Sequence, residues 1–286
     1  MTDSSNIFAL IKLLDEPDET TFQLIREQIY SLGMEALPAL ETARENIFDP
    51  LVQERIKEIS HQLQSENLYV DFVNWVKLGP SDLLKGFMLV TKTQYPNLDD
   101  AEIQSKIEAI RMDVWLELHE NLTALENVKV LNHIFFEVHH FDGNKSNIAA
   151  PQNSYINTLL ESHQGNPLSL GILYMSLARK LEMPVYGVNL PQHFILAYLT
   201  DTGIDNPTED DVLFYINPFN KGAVFTRREI ELFIRQMKIK PDPSFFAPCT
   251  NQDIIYRLIN NLIFAYNKLG HDDKIEDLEV LLNAFE

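Results

Sequence analysis

A chain of 286 residues with 45% apolar content can bury a sizeable core and suggests two or three structural units. Its formal net charge of -19 opposes binding to a phosphate backbone, and its basic clusters are as short as Thr226-Arg227-Arg228, so nucleic acid is not an expected partner. The single cysteine, Cys249, excludes an intrachain disulfide and a cysteine-cluster metal site, while the lack of a leader pattern or bilayer-length apolar run predicts a cytoplasmic protein without membrane contact.

Residues 1–65 read as a series of short helices, with apolar positions at Phe8, Ile11 and Leu14, at Phe22, Ile25, Ile29 and Leu32, at Leu37 and Leu40, and at Leu51, Ile56, Ile59 and Leu63. Breaks are expected at Asp15-Glu16-Pro17-Asp18, at Gly33, before Pro38 and at Asp49-Pro50. The rhythm of LLDEPDETTFQLIREQIYSLGMEALPALETA resembles a HEAT-type repeat, so an antiparallel helical array is expected, either capping the next unit or offering a partner surface.

Residues 66–245 read as an α+β core. Ile103, Ile107, Ile110, Val114 and Leu118 make one apolar stripe, Ser81-Asp82 caps a helix beginning at Leu83, and Val128, Leu131, Ile134 and Phe135 make the next stripe. His133, His139 and His140 gather at that helix's end, but no ligand spacing of a zinc motif surrounds them, so they read as polar residues at a helix terminus. From Leu168 to Leu181 the helix is apolar on most of its circumference and is expected to be central and buried. VYGVN, HFILAYL, VLFYIN and GAVF follow as four strand-like runs of one antiparallel sheet. Thr226 and Glu229 then have capping-box spacing at the start of another helix. Residues 246–286 read as a helical hairpin turning at Lys268-Leu269-Gly270-His271, with a rhythm resembling one tetratricopeptide unit.

The candidate chemistry lies between the central helix and the sheet. If residues 193–199 and 211–217 form a hairpin with matched ends, His193 sits opposite Asn217, and an imidazole oriented by a carboxamide is part of a nucleophilic triad. A nucleophile would belong at the N-terminus of the central helix, around Gly165 to Ser169.

The segments SENLYVDFVNW, DLLKGFMLVTKTQYPNLD, NHIFFEVHHFDGN, PQNSYINTLLESHQGNPLSLGILYMSLARKLEMPVYGVNLPQHF and INPFNKGAVF together resemble the transglutaminase-like superfamily, more closely its bacterial SirB-type branch with a tetratricopeptide-like C-terminus. The resemblance implies a papain-like core in which a Gly-x-Cys sequence opens the central helix, His starts a strand and Asp precedes Pro on the next. His193 matches the His, Asn217 the Asp, and Pro167 falls on the cysteine. Proline has no nucleophilic atom and no amide donor, so the leading expectation is a degenerate, non-catalytic module for protein or peptide partners, with neither cofactor nor metal. The competing expectation is an amidase or acyl-transfer enzyme with Ser169 as nucleophile, His193 as base and Asn217 as orienter.

Overall fold

The computed structural model describes residues 3–200 and 207–286. Residues 201–206, part of the polar stretch TDTGIDNPTED between the two runs expected to form a hairpin, lie outside the described residues. The chain divides into two compact units, residues 1–72 and 73–286.

In the first unit, α1 (Asp3–Ile11), α2 (Glu19–Ser31) and α3 (Leu37–Asn46) start and stop near the expected breaks, with Asp18 capping α2 through the Thr21 amide. α4 (Pro50–Leu78), of which residues 50–72 belong to this unit, corrects the expectation of uniformly short helices, because it runs 29 residues. Pro50 opens it, and no further Pro or Gly occurs before Gly79, so nothing in its interior breaks the backbone ladder. Leu14, Ile29, Leu40, Ile56 and Ile59 fill this unit's core. Arg55 joins that core without an orphaned charge: Nη1 donates to the carbonyls of Leu14 and Glu16, and the guanidinium lies 3.8 Å from the Phe22 ring centre.

The second unit is mixed α+β. α5 (Leu83–Lys92), α6 (Asp100–Glu117) and α7 (Ala124–Asn132) begin at Asp82, Asp99 and Thr123 caps, and α7 continues into a π-helical turn over His133–Val138. β1 (Asp142–Gly143) and β2 (Gln164–Gly165) form a short parallel pair on either side of α8 (Ile156–Ser162), which the sequence reading missed. α9 (Pro167–Lys180) is buried without interruption from Leu168 to Ala178, as its all-round apolar sequence requires. β3 (Val185–Leu190), β4 (His193–Leu199), β5 (Val212–Asn217) and β6 (Ala223–Phe225) form one antiparallel sheet in chain order, as expected from the four apolar runs.

The β4–β5 register differs from the matched-end hairpin. Leu196 pairs with Ile216 and Ala197 with Tyr215, a displacement of two residues that leaves Asn217 paired with Ala223 on β6 rather than opposite His193. The pairing is interrupted by an irregularity at Tyr198 and Leu199, where Leu199 meets Val212. Symmetry of strand ends cannot anticipate such a bulge, and a two-residue shift preserves inward and outward faces, so hydrophobic alternation does not expose the error.

α10 (Arg227–Gln236) has the Thr226–Glu229 capping box, and α11 (Asn251–Leu269) with α12 (Asp272–Leu282) makes the C-terminal helical hairpin. The hairpin is fastened to the rest of this unit by polar ties: Tyr155 and Tyr266 hydroxyls are 2.7 Å apart, and the Asn251 side chain donates to the Pro80 and Ser81 carbonyls. Among the described residues, no helix is long and apolar enough to cross a membrane.

The helix-to-sheet contact is set by Phe194, which is 2% exposed. A β-carbon placed on Gly171 of α9 would lie 2.6 Å from the Phe194 ring, and one placed on Gly187 of β3 would lie 2.6 Å from it and 2.8 Å from Ile254. The ring thus occupies space that a methyl group at either glycine would need. Replacing Gly187 by Ala is expected to destabilise the unit by about 1–3 kcal/mol in urea unfolding. Gly171→Ala should cost less, because Ala recovers roughly 0.8–1 kcal/mol of helix propensity.

Candidate functional site

Asn166 sets the geometry at the N-terminus of α9. Its Oδ1 accepts the Leu168 and Ser169 amides at 3.0 and 2.9 Å, and its Nδ2 donates to Ser154 Oγ at 2.8 Å. Ser169 returns the contact: its Oγ accepts the Asn166 amide at 3.0 Å, completing a reciprocal capping box. Ser169 is fully buried, so its hydroxyl is a structural acceptor inside the protein. Pro167 occupies the first helical position, where its fixed φ suits the turn and its missing N–H leaves nothing unsatisfied.

His193 opens β4 and is exposed. Its ring meets Phe233 of α10 edge to face at 4.9 Å between centroids. Partial desolvation lowers its pKa below the ordinary 6.5, and the positive field of Arg257 lowers it further, so the ring is neutral at pH 7.

Asn217 has a local task. Its Oδ1 accepts the amides of Phe219 and Asn220 at 3.0 and 3.2 Å, closing the turn that follows β5. That turn is tied to α7 by Asn132, whose Nδ2 donates to the Gly222 carbonyl and whose Oδ1 accepts the Tyr174 hydroxyl, both at 2.9 Å. Among the described residues, no hydrogen bond joins Ser169, His193 and Asn217 to one another.

A pocket of about 240 Å³ opens beside Pro167. Asn166, Pro167, Gln192, Phe194, Arg257 and Asn261 contribute to its wall. Arg257 extends from α11, where Nη1 donates to Asn189 Oδ1 at 3.0 Å and to the Leu190 carbonyl at 3.2 Å. Burial pulls its pKa down, yet a guanidinium remains charged at neutral pH. Arg257 belongs to no motif recognisable in the sequence. In the sequence it borders the apolar stripe of Ile254 and Leu258 on a side shared with Asp253 and Asn261, which gives it no distinctive signal.

Cys249 and His139 have structural partners. Cys249 donates through Sγ to the Gly187 carbonyl at 3.2 Å, and burial pushes its thiol up to about 12. His139 Nε2 lies 2.8 Å from Asp113 Oδ2, His140 has a left-handed backbone, and no group of His, Cys, Asp and Glu among the described residues is placed to hold a metal ion.

Comparison with known proteins gives this geometry a context. Residues 101–260 match the family model described as the transglutaminase-like superfamily. The chain is 28% identical to a UPF0162 protein of Xylella fastidiosa (strain 9a5c) over 203 residues, covering 67% of each. It is 24% identical to a UPF0162 protein of Vibrio cholerae over 179 residues, covering 62% of this chain and 63% of the relative. It is also 27% identical to F-box only protein 21 of Homo sapiens over 156 residues, or 54% of this chain and 24% of that protein. No solved structure matches the chain.

Two measurements test the electrostatics of the site. In an NMR titration His193 should have its midpoint below 6.5, and Arg257→Met should move that midpoint upward by removing a nearby positive charge. Iodoacetamide should modify folded Cys249 far more slowly than the denatured chain at pH 8, because a thiol pKa of about 12 leaves roughly one part in ten thousand as thiolate.

Proposed function

We propose that this chain, which belongs to the transglutaminase-like superfamily, is a non-catalytic member that acts as a protein-interaction or regulatory module. What carries this reading is Pro167, which the superfamily resemblance sets on the nucleophile position, at the start of a helix whose next two amides already bond to Asn166. Acyl transfer by a nucleophile of this kind needs an attacking atom and donors for the developing oxyanion. Pro167 supplies neither, since it lacks both a reactive side chain and an N–H.

The roles of the other two residues support the same reading. Asn217 is engaged with its own turn, and Ser169 supplies the acceptor that satisfies the Asn166 amide. A serine hydrolase would require the buried Ser169 hydroxyl to leave that box and reach His193. An open cleft of about 1040 Å³ alongside the C-terminal half of α9, lined in part by Arg179, Met183, Tyr186 and Asn251, offers room for a peptide segment. In this proposal the family placement is the SirB-type branch, the C-terminal hairpin is its single tetratricopeptide-like unit, and the protein works in the cytoplasm with a protein or peptide partner.

The discriminating experiment is labelling with a serine-reactive fluorophosphonate. Folded wild type is expected to remain unlabelled, whereas labelling that disappears in Ser169→Ala would overturn the non-catalytic reading. Ser169→Ala should instead register as a stability loss of about 1–3 kcal/mol, because it removes the side-chain acceptor of the buried Asn166 amide.

A further inference from the structure

The pocket beside Pro167 contains a cationic group with unfilled hydrogen-bonding capacity. The chain carries 42 acidic and 23 basic side chains, so an acidic neighbour is statistically easy to find. Nevertheless, no carboxylate oxygen lies within 4.0 Å of Arg257 among the described residues. Asp253, one helical turn earlier, is the natural intrahelical candidate, but its carboxylate instead accepts the Thr250 amide and hydroxyl at 2.9 and 2.6 Å. Asn189 and Leu190 hold the guanidinium through Nη1 alone. Its Nε and Nη2 have no protein acceptor among the described residues, which leaves the edge of the fork that matches a carboxylate in bidentate fashion.

The walls restrict what can accompany that anion. Phe194, Phe264 and Ala265 supply apolar surface, while Gln192 and Asn261 supply amide groups. A volume of about 240 Å³ is below the usual range for drug-sized ligands and leaves room for a small ligand. The α9 terminus adds no free amide of its own in its first three positions, because Pro167 has none and those of Leu168 and Ser169 bond to Asn166. Recognition of charge therefore depends on Arg257.

We propose that this pocket binds a carboxylate carried on a short apolar group, anchored by the free edge of Arg257. The proposal rests on the non-catalytic reading, in which a ligand is held beside Pro167 without being attacked. The shared chemistry has two sources, a free small carboxylic acid or the carboxyl terminus of a peptide chain. Neutral His193, next to Arg257 in the electrostatic sense, provides the reporter: a bound carboxylate offsets the guanidinium's field and raises the imidazole pKa.

The test is an NMR titration of the full chain, following the His193 ring and Arg257 Nε, with N-acetylalanine and its uncharged amide as probes. Saturable shifts are expected for the acid, with the amide at least about ten-fold weaker, because only the acid presents a charge-assisted bidentate acceptor. Arg257→Met should abolish the response. Two further variants guard against misfolding as the cause: Arg257→Lys keeps the charge and should weaken binding, and Ala149→Phe narrows the exposed rim while leaving Arg257 intact and should also weaken it. A short polyglycine peptide ending in alanine, with its terminus free or amidated, separates the sources: tighter binding of the free-ended peptide than of N-acetylalanine assigns a chain terminus, and the reverse order assigns a small acid. Equal shifts from acid and amide, or undiminished binding by folded Arg257→Met, would overturn the proposal. Ammonia release from the amide probe would overturn the non-catalytic reading, and the acid-to-amide affinity ratio would still decide carboxylate recognition.

Discussion

The Phe194 ring, pressed against α9 at Gly171 and against β3 at Gly187, fixes the distance between the central helix and the sheet. That distance has consequences on both sides of the ring. The residue before it, His193, is carried to the strand's exposed start, and Gln192 enters the pocket wall from the β3–β4 turn. The same ring also faces the pocket, with the Arg257 guanidinium 6.0 Å from its centre. A close-packed interior transmits small displacements, so the two glycines position the site even though neither supplies a functional group.

Around that contact, the polar residues at the helix end and at the strand turn satisfy local backbone requirements. Pro167 begins α9 where an unpaired amide would otherwise stand, Asn166 and Ser169 close the helix end, and Asn217 closes the turn after β5. These tasks compete with catalysis for the same atoms. A hydroxyl engaged as a buried acceptor and a carboxamide engaged with two turn amides are stabilised in their present orientations, and reorienting them would leave backbone donors unpaired. The polar groups at the helix end and at the turn are therefore satisfied within the fold itself.

The helices and the antiparallel sheet were legible because their signals are local: the Ser81-Asp82 cap, the Thr226–Glu229 capping box, an all-round apolar run in α9, and four strand-like runs. The extent of α4 was less legible, since the polar stretch from Gln64 to Asn67 weakens its apolar rhythm without containing a helix breaker. Pairing was harder still. The two-residue displacement between β4 and β5 depends on an irregularity at Tyr198 and Leu199, and both possible registers keep the same side chains on the same face. At the site, His193 could be located at a strand start from its neighbours, but the burial of Ser169 depends on its partnership with Asn166. Arg257 was hidden for a different reason: it comes from the C-terminal hairpin, more than sixty positions beyond His193, and only the tertiary fold brings their fields together.

Charge in this protein operates on two length scales. The net charge of -19 disfavours the approach of anions from bulk solvent, but ionic screening limits such fields to roughly 8 Å at physiological salt. Inside the pocket the partly desolvated guanidinium acts at hydrogen-bond range, where screening is weaker and geometry matters more. An anion would consequently gain little from long-range steering and much from fitting the fork of Arg257 and the apolar wall of Phe194. Selectivity under these conditions comes from dissociation: a ligand without a carboxylate leaves the guanidinium edge facing an unmatched group, while one too large for the cavity loses the apolar contact. If the recess binds as proposed, discrimination among anions falls to the guanidinium and the apolar wall, because the net charge acts on every anion alike.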